Sequence, residues 1–147
     1  LTESQLANIT TGQQFQGMMG NILAAKLNAA TGPQTDNDAR RLELTLATLG
    51  NTPEAKAFLL DASDAISHRA ISKERFYEDW MAANDGSSRG AKAAWNKAEG
   101  NVPLFGTNPK DNSPLFFYSF RDTIRDANPG ISDKKIITLW VNTYVSR

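Results

Sequence analysis

The stretch TPEAKAFLLDASDAISHRAISKERFYEDWMAA, residues 52–83, decides the fold of this chain. Thr52 is a favourable helix N-cap, and Pro53 suits the first helical position because a residue there needs no N–H partner within the helix. Apolar residues then recur at helical spacing until the turn-forming sequence Asn84-Asp85-Gly86. The stretch therefore predicts one long helix, although Ser72 could cap a second helix within it.

Capping and turn-forming residues divide the rest of the chain into further helix-length pieces. Thr35-Asp36 is a predicted N-cap, and Asp38 is interpreted as a first-turn residue whose negative charge suits the helix dipole. Ser113 is a predicted N-cap with Pro114 at the first helical position, and Ser132 is the predicted N-cap of the last helix. Besides the long helix, predicted helices span about residues 13–30, 36–49, 88–100, 114–127 and 133–145.

Residues 100–113 read as a loop rich in turn formers, which Leu104 and Phe105 are expected to pin to the core. No alternating strand pattern longer than a few residues is present, and there is no internal repeat of fixed period. The sequence therefore predicts an all-α fold, a single compact domain of about six or seven helices over residues 1–147.

Composition excludes several classes of function. The 147 residues have the size of one ordinary domain. Sixteen basic and sixteen acidic residues cancel, so the strongly positive charge typical of sequence-independent nucleic-acid binding is missing. The chain has no cysteine, which excludes disulfides, thiol catalysis and thiolate metal sites. Its apolar runs are far shorter than the roughly 20 residues that span a bilayer.

Residues able to carry chemistry are few and lie on the long helix. His68 is the only histidine, and Asp64 precedes it by one turn, but no nucleophile has an obvious claim nearby. The pairs Asp61/Asp64 and Glu74/Glu78 could each share a helix face and support glycoside hydrolysis or metal binding. The simpler interpretation is an ordinary charged helix surface, so we predict no catalytic, cofactor-binding or metal-binding residue.

Two sets of residues are candidates for protein–protein contact. Small residues in the helix predicted over 13–30 form a flat strip where another helix can approach closely, although a slightly weak helix is an equal alternative. Late aromatic residues occupy more than one face of their helices, which is typical of interaction faces unless residues 100–113 fold over and cover them. The interface candidates are Gly17, Gly20, Ala24, Phe116, Phe117, Trp140 and Tyr144.

Two stretches carry a resemblance to a known family. The first is TGPQTDNDAR at 31–40, which runs on through LGNTPEA at 49–55, and the second is FYEDW at 76–80 with the Gly90-Ala91 and Ala94-Trp95 pairs after it. Together they resemble a region of tailed-bacteriophage virion proteins, especially large internal or DNA-ejection proteins and tail components. The resemblance covers about residues 20–98.

This resemblance implies a non-enzymatic structural module within a longer virion protein, in the DNA-ejection or tail machinery. The implied partners are copies of the chain and other virion proteins, with no small-molecule substrate and no cofactor; nucleic acid is not favoured. The implied location is the virion, after synthesis in the bacterial host cytoplasm. The resemblance transfers no catalytic residue, and no counterpart of a lytic transglycosylase glutamate with its glycine and serine context is present.

Two alternatives from other classes stay open. One is an accessory cell-wall-degrading hydrolase domain that uses the acidic helix from Asp61 to Glu78. The other is a small helical regulatory or nucleic-acid-binding domain, which the zero net charge disfavours. The basic contacts of that second domain would be Arg40, Arg41, Arg69, Lys92 and Lys97.

Overall fold

The computed structural model of the chain describes residue 21, residues 35–49 and residues 52–145. These residues are mostly helical, which broadly confirms the all-α class. The five α-helices in the described residues are fewer than the predicted six or seven, and the helix predicted over 13–30 lies outside the described residues except for residue 21. The elements are α1 Thr35–Leu49, α2 Pro53–Ala83, α3 Ala91–Trp95, β1 Phe105–Thr107, β2 Pro114–Phe116, α4 Phe117–Ala127 and α5 Asp133–Trp140.

Helix α2 begins and ends as the sequence predicts. The Thr52 hydroxyl accepts a hydrogen bond from the Ala55 N–H at 3.2 Å, which satisfies one of the free donors of the first turn. Beyond the helix end, Gly86 takes a positive φ of 83°, which a glycine adopts without steric cost. The alternative break at Ser72 is wrong, because α2 is continuous and the Ser72 hydroxyl donates to the Glu99 carboxylate at 2.9 Å instead.

A small β-hairpin replaces the helix start predicted at Ser113 and Pro114. β1 and β2 pair antiparallel, with Phe105 opposite Phe116. Proline is tolerated as the first residue of a strand, where its missing N–H breaks no pairing. The Ser113 hydroxyl donates to a carboxylate oxygen of Asp111 at 2.7 Å rather than capping a helix. Helix α4 therefore begins three residues later than predicted, at Phe117.

The short helices α3 and α5 begin at residues that the sequence predicts in one case and not in the other. Helix α3 begins after Gly90 rather than at Ser87 or Ser88, and Gly90 adopts a φ of 82°, which favours glycine. A π-helical segment, Asn96–Gly100, continues α3 to the predicted end. Ser132 caps α5 as predicted, by accepting from the Lys135 N–H at 3.2 Å. A second π-helical segment, Val141–Val145, follows α5.

The hydrophobic core lies between α1, the first half of α2, the hairpin, α4 and α5. Each large apolar side chain buried there contributes about 1.5–3 kcal/mol relative to its exposed state. The large side chains buried in this core are Leu42, Leu46, Phe58, Leu59, Ile66, Leu104, Phe105, Phe117, Tyr118, Ile136 and Trp140.

Candidate functional site

Three helices hold the segment of residues 102–104, which we call the clamped segment. The Arg69 guanidinium of α2 donates to the carbonyl of Val102, and the Trp140 indole N–H of α5 donates to the carbonyl of Pro103 at 2.8 Å. On the other side, the Asp38 carboxylate of α1 accepts from the Leu104 N–H at 3.1 Å. Successive residues of one loop are thus bound by three different helices, which explains why an irregular segment can be buried.

The charged groups of this clamp are themselves buried. Arg69 also donates from Nε to the Tyr118 hydroxyl at 3.2 Å. Burial raises the Asp38 pKa from 3.8 to about 6, although Arg69, the Leu104 N–H and Arg41 pull it down. Burial likewise raises the pKa of Tyr118. Asp38 lies near the start of α1 as predicted, and its side chain is buried on the face of α1 that carries Leu42.

The candidate catalytic residues divide into two groups that do not meet. Asp61, Asp64 and His68 line an open cavity of about 260 Å³, where the exposed His68 ring stacks on Tyr118 with a centroid distance of 4.0 Å. Asp61 lies 13 residues before Glu74, or about 20 Å along the helix axis. The acidic residues of α2 therefore cannot act together at a single bond.

The described residues offer no metal site and no membrane-spanning helix. In residues 35–49 and 52–145, no group of three or more His, Cys, Asp or Glu side chains is placed to hold a metal ion. None of the helices in these same ranges combines the length and apolar character needed to cross a membrane.

The predicted interface residues separate into core, partly buried and undescribed positions. Phe117 is 2 % exposed and Trp140 is 0 % exposed, so neither can offer its ring to a partner in this fold, and their assignment to an interface is corrected. Trp140 packs under residues 100–113, since its indole donates to the Pro103 carbonyl and its ring lies against Gly106, in line with the alternative explanation of the surplus aromatics. Phe116 and Tyr144 are half-buried against the core. Gly17, Gly20 and Ala24 lie outside the described residues.

The second half of α2, residues 70–83, is a feature that the sequence pattern did not single out as a surface. All the buried residues of α2 lie between Ala55 and Arg69, and none lies in the second half. A helix of 31 residues is about 46 Å long, which exceeds the diameter of a small domain. The helix therefore extends beyond the core. In the sequence, this extension is indicated only by the mixture of charged and apolar side chains in the second half of α2.

Helix α3 is the element that packs against this second half. The Phe76 ring lies 5.6 Å from Trp95, and the Trp80 indole N–H donates to the Arg89 carbonyl at 2.9 Å. These contacts cover only one side. On another side Ile71 is 50 % exposed, and Tyr77 is partly covered by Lys73. The second half of α2 thus has an apolar position in solvent on a rigid, well-supported helix.

No protein family matches the sequence of this chain, and searches of curated proteins and of solved structures find no significant match.

Proposed function

We propose that this chain is a non-enzymatic structural module that works through protein–protein contact in a bacteriophage particle, within its DNA-ejection or tail machinery. Its partners are further copies of itself and other virion proteins, and its location is the virion. The phage assignment is supported by the resemblance over about residues 20–98. The contact role is supported by the second half of α2.

That second half is the observation that carries the contact role. A helix that only completes a core ends near the edge of the core, because exposed helical turns gain little from packing. Here about four turns continue past the last buried residue, Arg69, and are braced by an aromatic cluster with α3. Ile71 in this region is a large apolar side chain that no described residue buries. Bracing of this kind suits a surface that must keep its shape for a partner.

The use of the buried polar groups also supports a structural role. Asp38, Arg69 and the Trp140 indole bind the clamped segment, and the Tyr118 hydroxyl accepts from Arg69. Asp38, Arg69 and Trp140 line none of the described cavities, and only Tyr118 reaches the open cavity that holds Asp61, Asp64 and His68. These buried polar interactions therefore stabilise the module itself.

A matched pair of substitutions tests the contact role by light scattering over a wide concentration range. We expect the wild-type chain to form a defined oligomer or one that grows with concentration. Ile71→Glu should lower the solution mass, whereas Leu44→Glu on α1, which replaces a side chain that is 62 % exposed, should leave it unchanged. A wild-type monomer at every concentration, or equal effects of the two variants, would contradict self-association through α2.

Mass spectrometry of purified particles tests the virion assignment separately. Particles from a phage that encodes the chain should contain its peptides in stoichiometric amount after banding and nuclease treatment. Their absence from particles, combined with abundance in the infected-cell lysate, would contradict a virion location.

A cell-wall-degrading hydrolase domain is the second candidate, because Asp61, Asp64 and His68 share one cavity. It predicts that the wild-type chain releases fragments from peptidoglycan and that Asp61→Asn or Asp64→Asn abolishes this release without lowering the thermal midpoint. Equal, background-level release by all three proteins would eliminate the hydrolase.

A further inference from the structure

Two open cavities lie side by side on the outer face of α4. The first has a volume of about 260 Å³, and the second, of about 350 Å³, is lined partly by the β-hairpin. Asp61, Phe116 and Ser119 belong to the walls of both cavities. The two cavities are therefore parts of one groove, which we call the α4 groove.

One end of the α4 groove is apolar. Leu115, Phe116, Phe120 and Tyr144 line the second cavity, and all four are only partly buried. The Phe120 and Tyr144 rings meet edge to face at 5.3 Å. Since these rings also pack on the core, this end of the groove has a firm apolar floor.

The other end of the groove is acidic. Asp61 and Asp64 of α2 face Asp122 of α4 across the first cavity, and no lysine or arginine lines either cavity. Within the described residues, neither Asp61 nor Asp64 forms a salt bridge, while Asp122 pairs with Arg121 at 3.4 Å. The remaining titratable groups of the lining are His68, Tyr118 and Tyr144. The groove thus carries negative charge that no basic residue of its own walls compensates.

We propose that the α4 groove binds a basic amphipathic segment of another protein, with apolar side chains on the Phe120–Tyr144 floor and a lysine or arginine between Asp61, Asp64 and Asp122. The charge complementarity of the groove identifies this occupant, because an apolar floor next to Asp61 and Asp64, neither of which has a salt bridge among the described residues, matches a segment that alternates apolar and basic side chains. The inference rests on the proposed contact role and names a second surface for it, apart from the second half of α2.

An exposed threonine of the groove allows a substitution that blocks the groove, and a second threonine outside the groove provides the matched control. Thr123 lines the apolar cavity, and its hydroxyl donates to the Ser119 carbonyl one turn back at 2.9 Å. Thr138 on α5 makes the same bond to the Lys134 carbonyl, also at 2.9 Å, and lines none of the three described cavities. Thr123→Arg therefore adds bulk and positive charge to the groove, and Thr138→Arg makes the same change elsewhere.

The acidic end has a control in two carboxylates that lie outside both the groove and the second half of α2. Asp61→Asn/Asp64→Asn removes two exposed carboxylates from the groove, and Glu43→Gln/Glu54→Gln removes two exposed carboxylates elsewhere. Both double variants change the net charge equally, so any difference between them reports position and not overall charge.

The binding probe is a short, fluorescein-labelled amphipathic peptide of leucine and lysine, titrated with the whole chain by fluorescence anisotropy at physiological salt. We expect micromolar binding that weakens about tenfold or more in the Asp61/Asp64 double variant and in Thr123→Arg, where tenfold equals about 1.4 kcal/mol. The two control variants should stay within about threefold of wild type. A leucine and glutamate peptide of the same length should not bind.

Three outcomes would overturn the inference. Absence of binding to the wild-type chain would do so, and so would equal weakening by groove and control variants, which would indicate non-specific charge attraction. A fall in the solution mass of the chain itself in Thr123→Arg would show that the groove binds a second copy and not another protein. Because Ile71→Glu reports on the second half of α2, loss of the groove's binding with unchanged self-association leaves the proposed function standing.

Discussion

The titration of Asp38 gives a prediction with a definite sign. Asp38 is 2 % exposed, and burial raises the pKa of its carboxyl group from 3.8 to about 6. A carboxyl whose pKa is higher in the folded state binds a proton more tightly there than in the unfolded chain. The folded state should therefore gain stability as the pH falls through 6. That gain is complete below 3.8 and is lost again as the pH rises.

The magnitude follows from the two pKa values. At about 1.4 kcal/mol for each pKa unit, the rise from 3.8 to about 6 corresponds to about 3 kcal/mol. Asp38→Asn keeps an oxygen that can accept from the Leu104 N–H but cannot titrate. Wild type should thus gain about 3 kcal/mol relative to the variant between pH about 8 and about 3.

Urea unfolding of both proteins across this pH range measures the difference directly. Other titrating groups cancel in the comparison, since the two chains differ at one residue. A difference in the free energy of unfolding that does not change with pH would refute the reasoning. A difference that grows in favour of wild type as the pH rises would show that attraction to Arg69 and Arg41 outweighs the burial of the carboxylate.

Three further substitutions test the packing and the clamp by urea unfolding. Phe117→Ala should lower the free energy of unfolding by about 3–5 kcal/mol because it empties a core position. A loss below about 1 kcal/mol would contradict the burial of Phe117. Arg69→Met should cost about 1–3 kcal/mol, since it leaves the buried Val102 carbonyl without its donor; an equally stable variant would contradict the clamp. Gly90→Ala should destabilise more than Gly86→Ala, because both have positive φ but only at Gly90 would the added Cβ lie close to a ring, 3.1 Å from Trp80; equal effects would contradict this close approach.

Local signals were sufficient for the long helix and failed for the hairpin. Thr52, Pro53 and the turn after Ala83 act within a few residues of the helix ends, so the sequence shows them directly. The pairing of Pro114–Phe116 with Phe105–Thr107 depends on a partner strand. Ser113-Pro114 carries the same local signature whether a helix or a strand follows, and tertiary pairing decided between them.

The candidate site shows the same limit. A first-turn aspartate looks identical in sequence whether it faces solvent or bonds to a loop, so the inward role of Asp38 had no local signal. Periodicity likewise cannot separate aromatic residues of a core from those of an interface, and Phe117 and Trp140 proved to be core. The extension of α2 past the core depends on where other elements stop, which the helix pattern alone does not contain.

Cross-linking through single engineered cysteines tests the central claim, contact through the second half of α2, most directly. The chain has no native cysteine, so Ile71→Cys and Leu44→Cys each place one exposed thiol at a known position. The account predicts that a short bis-maleimide links Ile71→Cys into a covalent dimer in high yield at dilute protein concentration, while Leu44→Cys stays monomeric. Equal yields from the two variants, or no dimer from either, would contradict the claim.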